Sequence, residues 1–180
     1  LFAMQHYGLP TRLLDWSENL FIAAYFALMQ TGTHGHDPGL CVPVIWCVDP
    51  VRWNRTAPAL SEFGDSIGVL TTADEDLRGY RPFTSDTQRR GKFPVAMYGA
   101  HNSNRIVAQR GTFMVWGADV KSLEEFARSQ PNETLWRITL GGDSAVHAAH
   151  LQALGFSETM VFPELPSLAT ELTRTEGWRK

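Results

Sequence analysis

The 180-residue sequence has only two cysteines, and neither sign of charge is in large excess. Its net charge of -3 provides no general basic face of the kind that nucleic acids and anionic membranes attract. No apolar run approaches the roughly 20 residues of a membrane-spanning helix, and no signal peptide is recognisable. We therefore expect neither membrane insertion nor nucleic-acid binding.

The two cysteines, Cys41 and Cys47, both lie in the segment LCVPVIWCV. If this segment is one strand, six residues at about 3.3 Å each separate the two by roughly 20 Å, whereas a disulfide tolerates only about 7 Å. Reduced core thiols are therefore expected, and they favour a cytoplasmic setting.

Signatures of common catalytic and metal sites are also missing. The sequence has no G-x-S-x-G, H-E-x-x-H, Walker A or G-x-G-x-x-G motif, so hydrolase and P-loop functions lack support. His34, His36 and Asp37 form an H-x-H-D string, and His147 and His150 share a predicted helix face. Neither group has the partner ligands of a zinc motif, and no metal site is predicted.

Composition and pattern predict a globular α/β or α+β chain. With 43% hydrophobic and 19% charged residues, it can build one sizeable core, and we expect one domain over residues 1–180. A helix is predicted from residue 18 to 30 with Ser17 as its cap. Because nearly every position after Asn19 is apolar, this helix is expected to be buried at the centre, beside a mixed sheet.

The remaining elements are predicted from periodicity, caps and chain breakers. Helices are expected to end at Gly8, to span 122–129 behind Ser122, to span 143–155, and to span 164–174. Strands are expected at 40–48, 93–98, 112–117 and 134–140. Residues 9–16 are predicted to be a tight connection, 50–92 short helices and loops, 102–111 a capped turn or short helix, and 158–165 a short strand or extended turn.

Residues 5 to 17 place many polar side chains directly before the apolar helix. Buried polar groups need partners or a function. One interpretation is structural: Arg12 and Asp15 form an ion pair that ties the loop to the helix, while His6 bonds a backbone carbonyl.

The other interpretation of this stretch is a pocket wall. Arg12 and the helix start at residues 17–19 would face an anionic group, and Trp16 or Tyr7 would stack on a ring. Both interpretations remain open on the residues alone.

Two further clusters occur later in the chain. NSNRIVAQRGTF contains Asn104, Arg105 and Gln109, for which the simpler interpretation is an Asn cap with Arg and Gln bonding loop carbonyls. SETMVFPEL carries Glu158 and Glu164 at the two ends of an apolar core, where charged residues are most often exposed.

Three blocks of this sequence resemble the FRG domain, a bacterial module named for an N-terminal Phe/Tyr-Arg-Gly motif. They are QHYGLPTRLLDW with the helix ending AAYFA, then NSNRIVAQRGTF, then GFSETMVFPELPSLATEL, in the family's order. The naming motif would precede residue 1, since LRGY at 77–80 stands in the wrong place. The resemblance implies an N-terminally incomplete domain of a bacterial stress or phage-defence protein.

A more distant analogy connects these blocks with ADP-ribosyltransferase folds. Where such enzymes keep a catalytic Glu in the third block, this sequence has Arg105 or its neighbours. Glu158 is the candidate to replace that carboxylate, with NAD as the implied cofactor.

We therefore predict a nucleotide-like ligand in a polar pocket. Alternatives are an NAD-dependent ADP-ribosyltransferase-like enzyme and a non-catalytic protein-interaction module; the oligomeric state is not predicted. The candidate catalytic residue is Glu158, and the candidate ligand-binding residues are Gln5, His6, Tyr7, Thr11, Arg12, Asp15, Trp16, Ser17, Tyr25, Asn104, Arg105 and Gln109.

Overall fold

A computed structural model of the chain describes residues 1–29, 42–58, 60–80, 93–100, 103–130 and 133–177. Helices and strands alternate along these residues, and the chain forms two compact units. Unit 1 comprises Leu1–Trp16, Trp46–Ala100 and Thr112–Trp136; unit 2 comprises Ser17–Ile45, His101–Gly111 and Arg137–Lys180.

The strands form two sheets. They are β1 (Leu13–Ser17), β2 (Val44–Val48), β3 (Leu70–Thr71), β4 (Val95–Tyr98), β5 (Gly111–Val115) and β6 (Leu135–Thr139). The larger sheet has the order β1-β5-β4-β3, with β3 parallel and β5 antiparallel to β4; β2 and β6 form a separate two-stranded sheet. The expected mixed sheet and α/β class are therefore confirmed.

Eight α-helices lie within the described residues. They are α1 (Phe2–His6), α2 (Leu20–Met29), α3 (Pro50–Thr56), α4 (Asn104–Ala108), α5 (Leu123–Arg128), α6 (Ser144–Ala153), α7 (Glu158–Val161) and α8 (Leu165–Thr175). Two 3-10 turns, Ser61–Ser66 and Glu75–Tyr80, occupy much of the region for which short helices and loops were expected.

Helix ends with strong local signals are where the sequence places them. Ser122 caps α5 by accepting a hydrogen bond from the Glu125 N–H, and the Glu125 carboxylate accepts from the Ser122 N–H in return. Gly8 and Gly155 follow α1 and α6 with φ angles of 78° and 89°, which glycine adopts without a Cβ penalty. These predictions are confirmed.

Two predictions of local structure are wrong. Residues 13–17 are strand β1 rather than a tight connection, since long-range pairing places this segment at the edge of the sheet, where the Arg12 carbonyl accepts from the Trp116 N–H at 2.9 Å. Residues Glu158–Val161 are helix α7 rather than extended, because the Ser157 hydroxyl caps the Met160 N–H.

The predicted cap of α2 is also wrong. The helix begins at Leu20, and the Asn19 carboxamide accepts a hydrogen bond from the Phe21 N–H at 2.9 Å, as an N-cap does. Ser17 instead accepts from the Asn19 N–H at 3.0 Å, two residues before the cap position.

Helix α2 is only half buried, although its sequence is apolar on every side. Ile22, Tyr25 and Leu28 lie in the core of unit 2, together with Leu151 and Val161. The two ends of the helix have apolar side chains in contact with solvent, since Leu20 is 53% exposed, Phe21 45% and Met29 49%. The prediction of a fully buried helix, which was based on its apolar composition, was therefore too strong.

The core of unit 1 is organised around two buried residues of α3. The indole N–H of Trp53 donates to the Pro94 carbonyl at 2.7 Å. The carboxamide of Asn54 donates to the carbonyls of Gly68 and Ala96, both at 2.9 Å, and accepts from the Ala96 N–H at 2.8 Å. Asn54 can be fully buried because its polar atoms are satisfied in this way.

Several expectations concern residues outside the described part of the chain. The structure does not describe Cys41, His34, His36 or Asp37. Cys47 is described and is a free, partly buried thiol. No described helix combines the length and the apolar character needed to cross a membrane.

Candidate functional site

In unit 1, the predicted polar residues around α1 and β1 bond mainly to each other. The Gln5 amide donates to the Asp15 carboxylate at 2.6 Å, and the Thr11 hydroxyl donates to the Gln5 side-chain oxygen. Thr11 also accepts from the Leu13 N–H at 3.2 Å, at the start of β1. These hydrogen bonds join the two elements at either end of the connecting loop.

Arg12 donates to backbone carbonyls rather than to a carboxylate. Its guanidinium reaches the Tyr80 carbonyl at 2.8 Å and the Trp116 carbonyl at 3.2 Å. Among the ion pairs of the described residues, none joins Arg12 to Asp15. The predicted ion pair with Asp15 is therefore wrong; Arg12 has a structural role in which backbone carbonyls are the acceptors.

The aromatic candidates of unit 1 differ in their surroundings. Trp16 packs against the core around Trp53 and Met114, and its buried indole N–H has no acceptor among the described residues. The Tyr7 side chain is 81% exposed. The side chain of His6 lies outside the described part of the chain.

In unit 2, the remaining candidates link α4 to neighbouring segments. The Ser17 hydroxyl donates to the Gln109 carbonyl at 2.7 Å, and the Gln109 amide donates to the Val161 carbonyl at 3.1 Å. The Arg105 guanidinium lies 4.8 Å from the centroid of the Phe162 ring, a cation–π distance. The Gln109 side chain therefore bonds a backbone carbonyl, as the simpler interpretation expected, whereas the guanidinium of Arg105 lies over an aromatic ring.

The cap of α4 differs from the one expected. Ser103, not an asparagine, accepts from the Ile106 N–H at 3.2 Å. Asn104 is the first residue of the helix and is exposed.

Two of the predicted residues, Tyr25 and Glu158, line one cleft within unit 2, and this is the candidate site. The cleft has a volume of about 320 Å³. Its lining residues come from α2, α6, the start of α7 and α8, and they include Tyr25, Leu28, Ala145, Ala148, Ala149, Gln152, Phe156, Ser157, Glu158 and Arg174.

Tyr25 is the buried polar residue of this cleft. The residue as a whole is only 6% exposed, and it lines the cleft. Burial raises the pKa of the Tyr25 phenol, the negative charges of Glu158 and Glu171 raise it further, and Arg174 opposes them. The phenol is therefore protonated at neutral pH and can donate a hydrogen bond into the cleft.

Three more polar side chains of the cleft have unused hydrogen-bonding capacity. Across the described ranges, Gln152, Glu158 and Arg174 form no side-chain hydrogen bond or ion pair. Together they offer an amide, a carboxylate and a guanidinium to a ligand. Sequence analysis missed Gln152 and Arg174, whose positions on α6 and α8 carry no motif; only the tertiary structure brings them to one cleft.

The predicted residues thus fall into two groups. Gln5, Thr11, Arg12, Asp15 and Trp16 belong to unit 1, while Ser17, Tyr25, Asn104, Arg105, Gln109 and Glu158 belong to unit 2. Within the described residues, no group of three or more His, Cys, Asp or Glu side chains could hold a metal ion.

The segment from α1 through β1 to α2 carries the first sequence block and contributes Tyr25 to the cleft. Residues 1–35 match the family model of the FRG domain. The FRG resemblance is therefore confirmed over this segment. No curated protein and no solved structure matches the chain. The extension of the FRG domain to residues 1–180 and the analogy with ADP-ribosyltransferases stay predictions.

Proposed function

We propose that this protein is an FRG-domain module that binds a nucleotide-like ligand in the cleft of unit 2. The observation that supports this most is that Tyr25, a largely buried phenol, lines the same cleft as Glu158. A protonated phenol that lines a cleft can donate a hydrogen bond. A polar ligand in the cleft would accept that hydrogen bond.

The apolar lining of the cleft suits the ring of a nucleobase. Leu28, Phe156 and the alanines of α6 offer a wall without charge. A volume of about 320 Å³ lies at the lower end of the roughly 300 to 1,000 Å³ that small-molecule sites occupy. The cleft therefore accommodates a ligand of about the size of one nucleoside with its phosphate.

The polar lining suits the rest of a nucleotide. The Glu158 carboxylate is an acceptor for sugar hydroxyls, and the Arg174 guanidinium is a donor for phosphate oxygens. Glu171 adds a second negative charge close to Tyr25, so Arg174 is the group of the lining that would attract the anionic part of a ligand.

The biological setting is proposed from the FRG resemblance rather than from the cleft. Residues 1–35 match the FRG family model, and we propose a bacterial protein of a cytoplasmic stress or phage-defence system. In that setting the ligand would be a small nucleotide of the cell.

One feature favours a second candidate, an NAD-consuming enzyme. Cleavage of the nicotinamide glycosidic bond develops positive charge on the ribose, and a nearby carboxylate stabilises that charge. Glu158 faces the cleft with its carboxylate unpaired among the described residues. If the protein releases nicotinamide from NAD, Glu158→Gln should lower the rate at least about a hundredfold.

Calorimetric titration and thermal shift with AMP, ADP-ribose and NAD test the proposal. A ligand at millimolar concentration with a micromolar Kd should raise the free energy of unfolding by about 4 kcal/mol. Glu158→Gln should weaken binding at least about tenfold, since a charge-assisted hydrogen bond is lost.

Glu164→Gln is the matched control, because Glu164 is an exposed carboxylate near Glu158 whose side chain does not cap α8. It should bind like the wild type. If none of the three ligands binds or stabilises the wild-type protein, the proposal is wrong and the interaction-module alternative is favoured.

A further inference from the structure

One face of α6 lines the cleft with exposed residues and ends in an amide. Ala145, Ala148, Ala149 and Gln152 have the spacing i, i+3, i+4 and i+7, which places them on one side of a helix. Alanine side chains let a flat ring approach the helix closely. The ring would then lie beside Gln152, so that residue can contact the edge of the ring.

The amide of Gln152 is the side chain of this cleft that offers a neutral donor and acceptor next to each other. Within the described residues, the structure gives this amide no hydrogen-bond partner. Adenine presents an acceptor, N7, beside a donor, the N6 amino group, and glutamine bonds both at once. Guanine presents two acceptors at the same edge, so one of them would oppose the amide oxygen.

Arg174 lies on α8 and carries the positive charge of the lining. It is exposed and acts electrostatically on the Tyr25 phenol, so its guanidinium lies near the cleft. Guanidinium groups bind phosphate oxygens through paired hydrogen bonds. A single arginine and a volume of about 320 Å³ fit one phosphate attached to one nucleoside.

We infer that the cleft selects an adenine mononucleotide, with Gln152 binding the edge of the base and Arg174 binding the phosphate. This inference rests on the proposed function and narrows it to one ligand class. It assigns roles to two residues that no sequence motif indicates. The Tyr25 hydroxyl and the Glu158 carboxylate are then available to form hydrogen bonds with the sugar.

Titration of the protein with AMP, GMP, adenosine and inorganic phosphate tests the inference. The wild type should bind AMP at least about tenfold more tightly than GMP, because one matched pair of hydrogen bonds discriminates by that order. Gln152→Leu should remove the preference for AMP over GMP, because it should weaken the binding of AMP and leave that of GMP unchanged. Arg174→Gln should weaken the binding of AMP at least about tenfold and leave the affinity for adenosine unchanged.

Two control variants separate these effects from general damage. His150→Gln changes an exposed side chain of α6 that is not part of the lining, and Arg128→Gln removes the arginine from the last turn of α5 in the other unit. Both should bind AMP like the wild type, and thermal unfolding should show that every variant is folded.

The outcomes distinguish this inference from the function on which it rests. Equal affinity for AMP and GMP, or an unchanged preference in Gln152→Leu, overturns the adenine assignment but leaves nucleotide binding in place. Phosphate that binds as tightly as AMP shows an anion site without base recognition and also overturns it. If neither nucleotide binds, the inference and the proposed function both fail.

Discussion

The Glu171 carboxylate on α8 accepts a hydrogen bond from the backbone N–H of Thr159 on α7 at 2.9 Å. The Thr159 hydroxyl donates to the same carboxylate oxygen. These two hydrogen bonds stabilise the ionised form and lower the pKa of the Glu171 carboxyl. The pair connects α7, which begins at Glu158, to α8, which carries Arg174.

Glu171→Gln should lower the free energy of unfolding by about 1 kcal/mol at pH 7, because a charge-assisted pair becomes a neutral one. The lowered pKa makes the wild-type contribution fully present above the unfolded value of about 4.3, and it declines as the pH falls through the folded pKa. The difference between the wild type and the variant should therefore shrink in acid. Denaturant unfolding across this pH range measures it.

Glu176→Gln is the control for this experiment, since Glu176 is an exposed carboxylate at the end of the same helix. It should change stability little at any pH. A Glu171→Gln effect that grows as the pH falls would contradict the assigned role of the pair.

Arg12→Ala should destabilise the protein without a specific loss of ligand binding. The variant removes the donors to the Tyr80 and Trp116 carbonyls, which should cost about 2 kcal/mol of unfolding free energy. Arg128→Ala, at an exposed position of α5, provides the comparison. Unchanged melting together with lost AMP binding would instead place Arg12 in a ligand site.

Gly99→Ala should be destabilising because there is no room for a methyl group. A Cβ at this position would lie 2.8 Å from Cδ2 of the buried Phe113 ring, which itself packs edge-on against Phe2 with 4.8 Å between ring centroids. Such overpacking typically costs about 1 to 3 kcal/mol. Gly68→Ala should be well tolerated, since nothing lies within 4 Å of its added Cβ. Equal melting temperatures for the two variants would show that the Phe113 ring can move aside.

Elements with strong local chemistry could be predicted from the sequence. The reciprocal hydrogen bonds of Ser122 and Glu125 involve residues three positions apart, and the glycine after α6 acts on its own helix end. Each of these signals lies within one turn of the structure it specifies. For the same reason, α5 and α6 are close to where the sequence analysis placed them.

Strand β1 and helix α7 could not be predicted in this way. Beside β1, the Arg12 carbonyl accepts a hydrogen bond from the N–H of Trp116, 104 positions later in the chain. No local sequence pattern predicts that pairing. Helix α7 has only four residues, and a bond from Thr159 to Glu171 on another helix supports it. A four-residue stretch is compatible with either helix or strand until such contacts form.

The candidate site was likewise only partly predictable. Tyr25 and Glu158 were chosen because of the family resemblance, and they do line one cleft. Gln152 and Arg174 lie on two other helices and reach that cleft only through the packing of unit 2. Amphipathic spacing on α6 could have indicated a common face for Ala145, Ala148 and Gln152, but not what that face contacts.

Methyl NMR of protein labelled in its alanine methyl groups tests the central claim most directly. Ring currents of a base bound in the cleft would act on Ala148 and Ala149, whereas Ala57 and Ala96 are buried in unit 1. As AMP is added, we expect the signals of Ala148 and Ala149 to shift and to saturate together, while those of Ala57 and Ala96 stay in place. Signals of Ala148 and Ala149 that do not move at saturating AMP, or shifts confined to Ala57 and Ala96, would contradict a nucleotide site in this cleft.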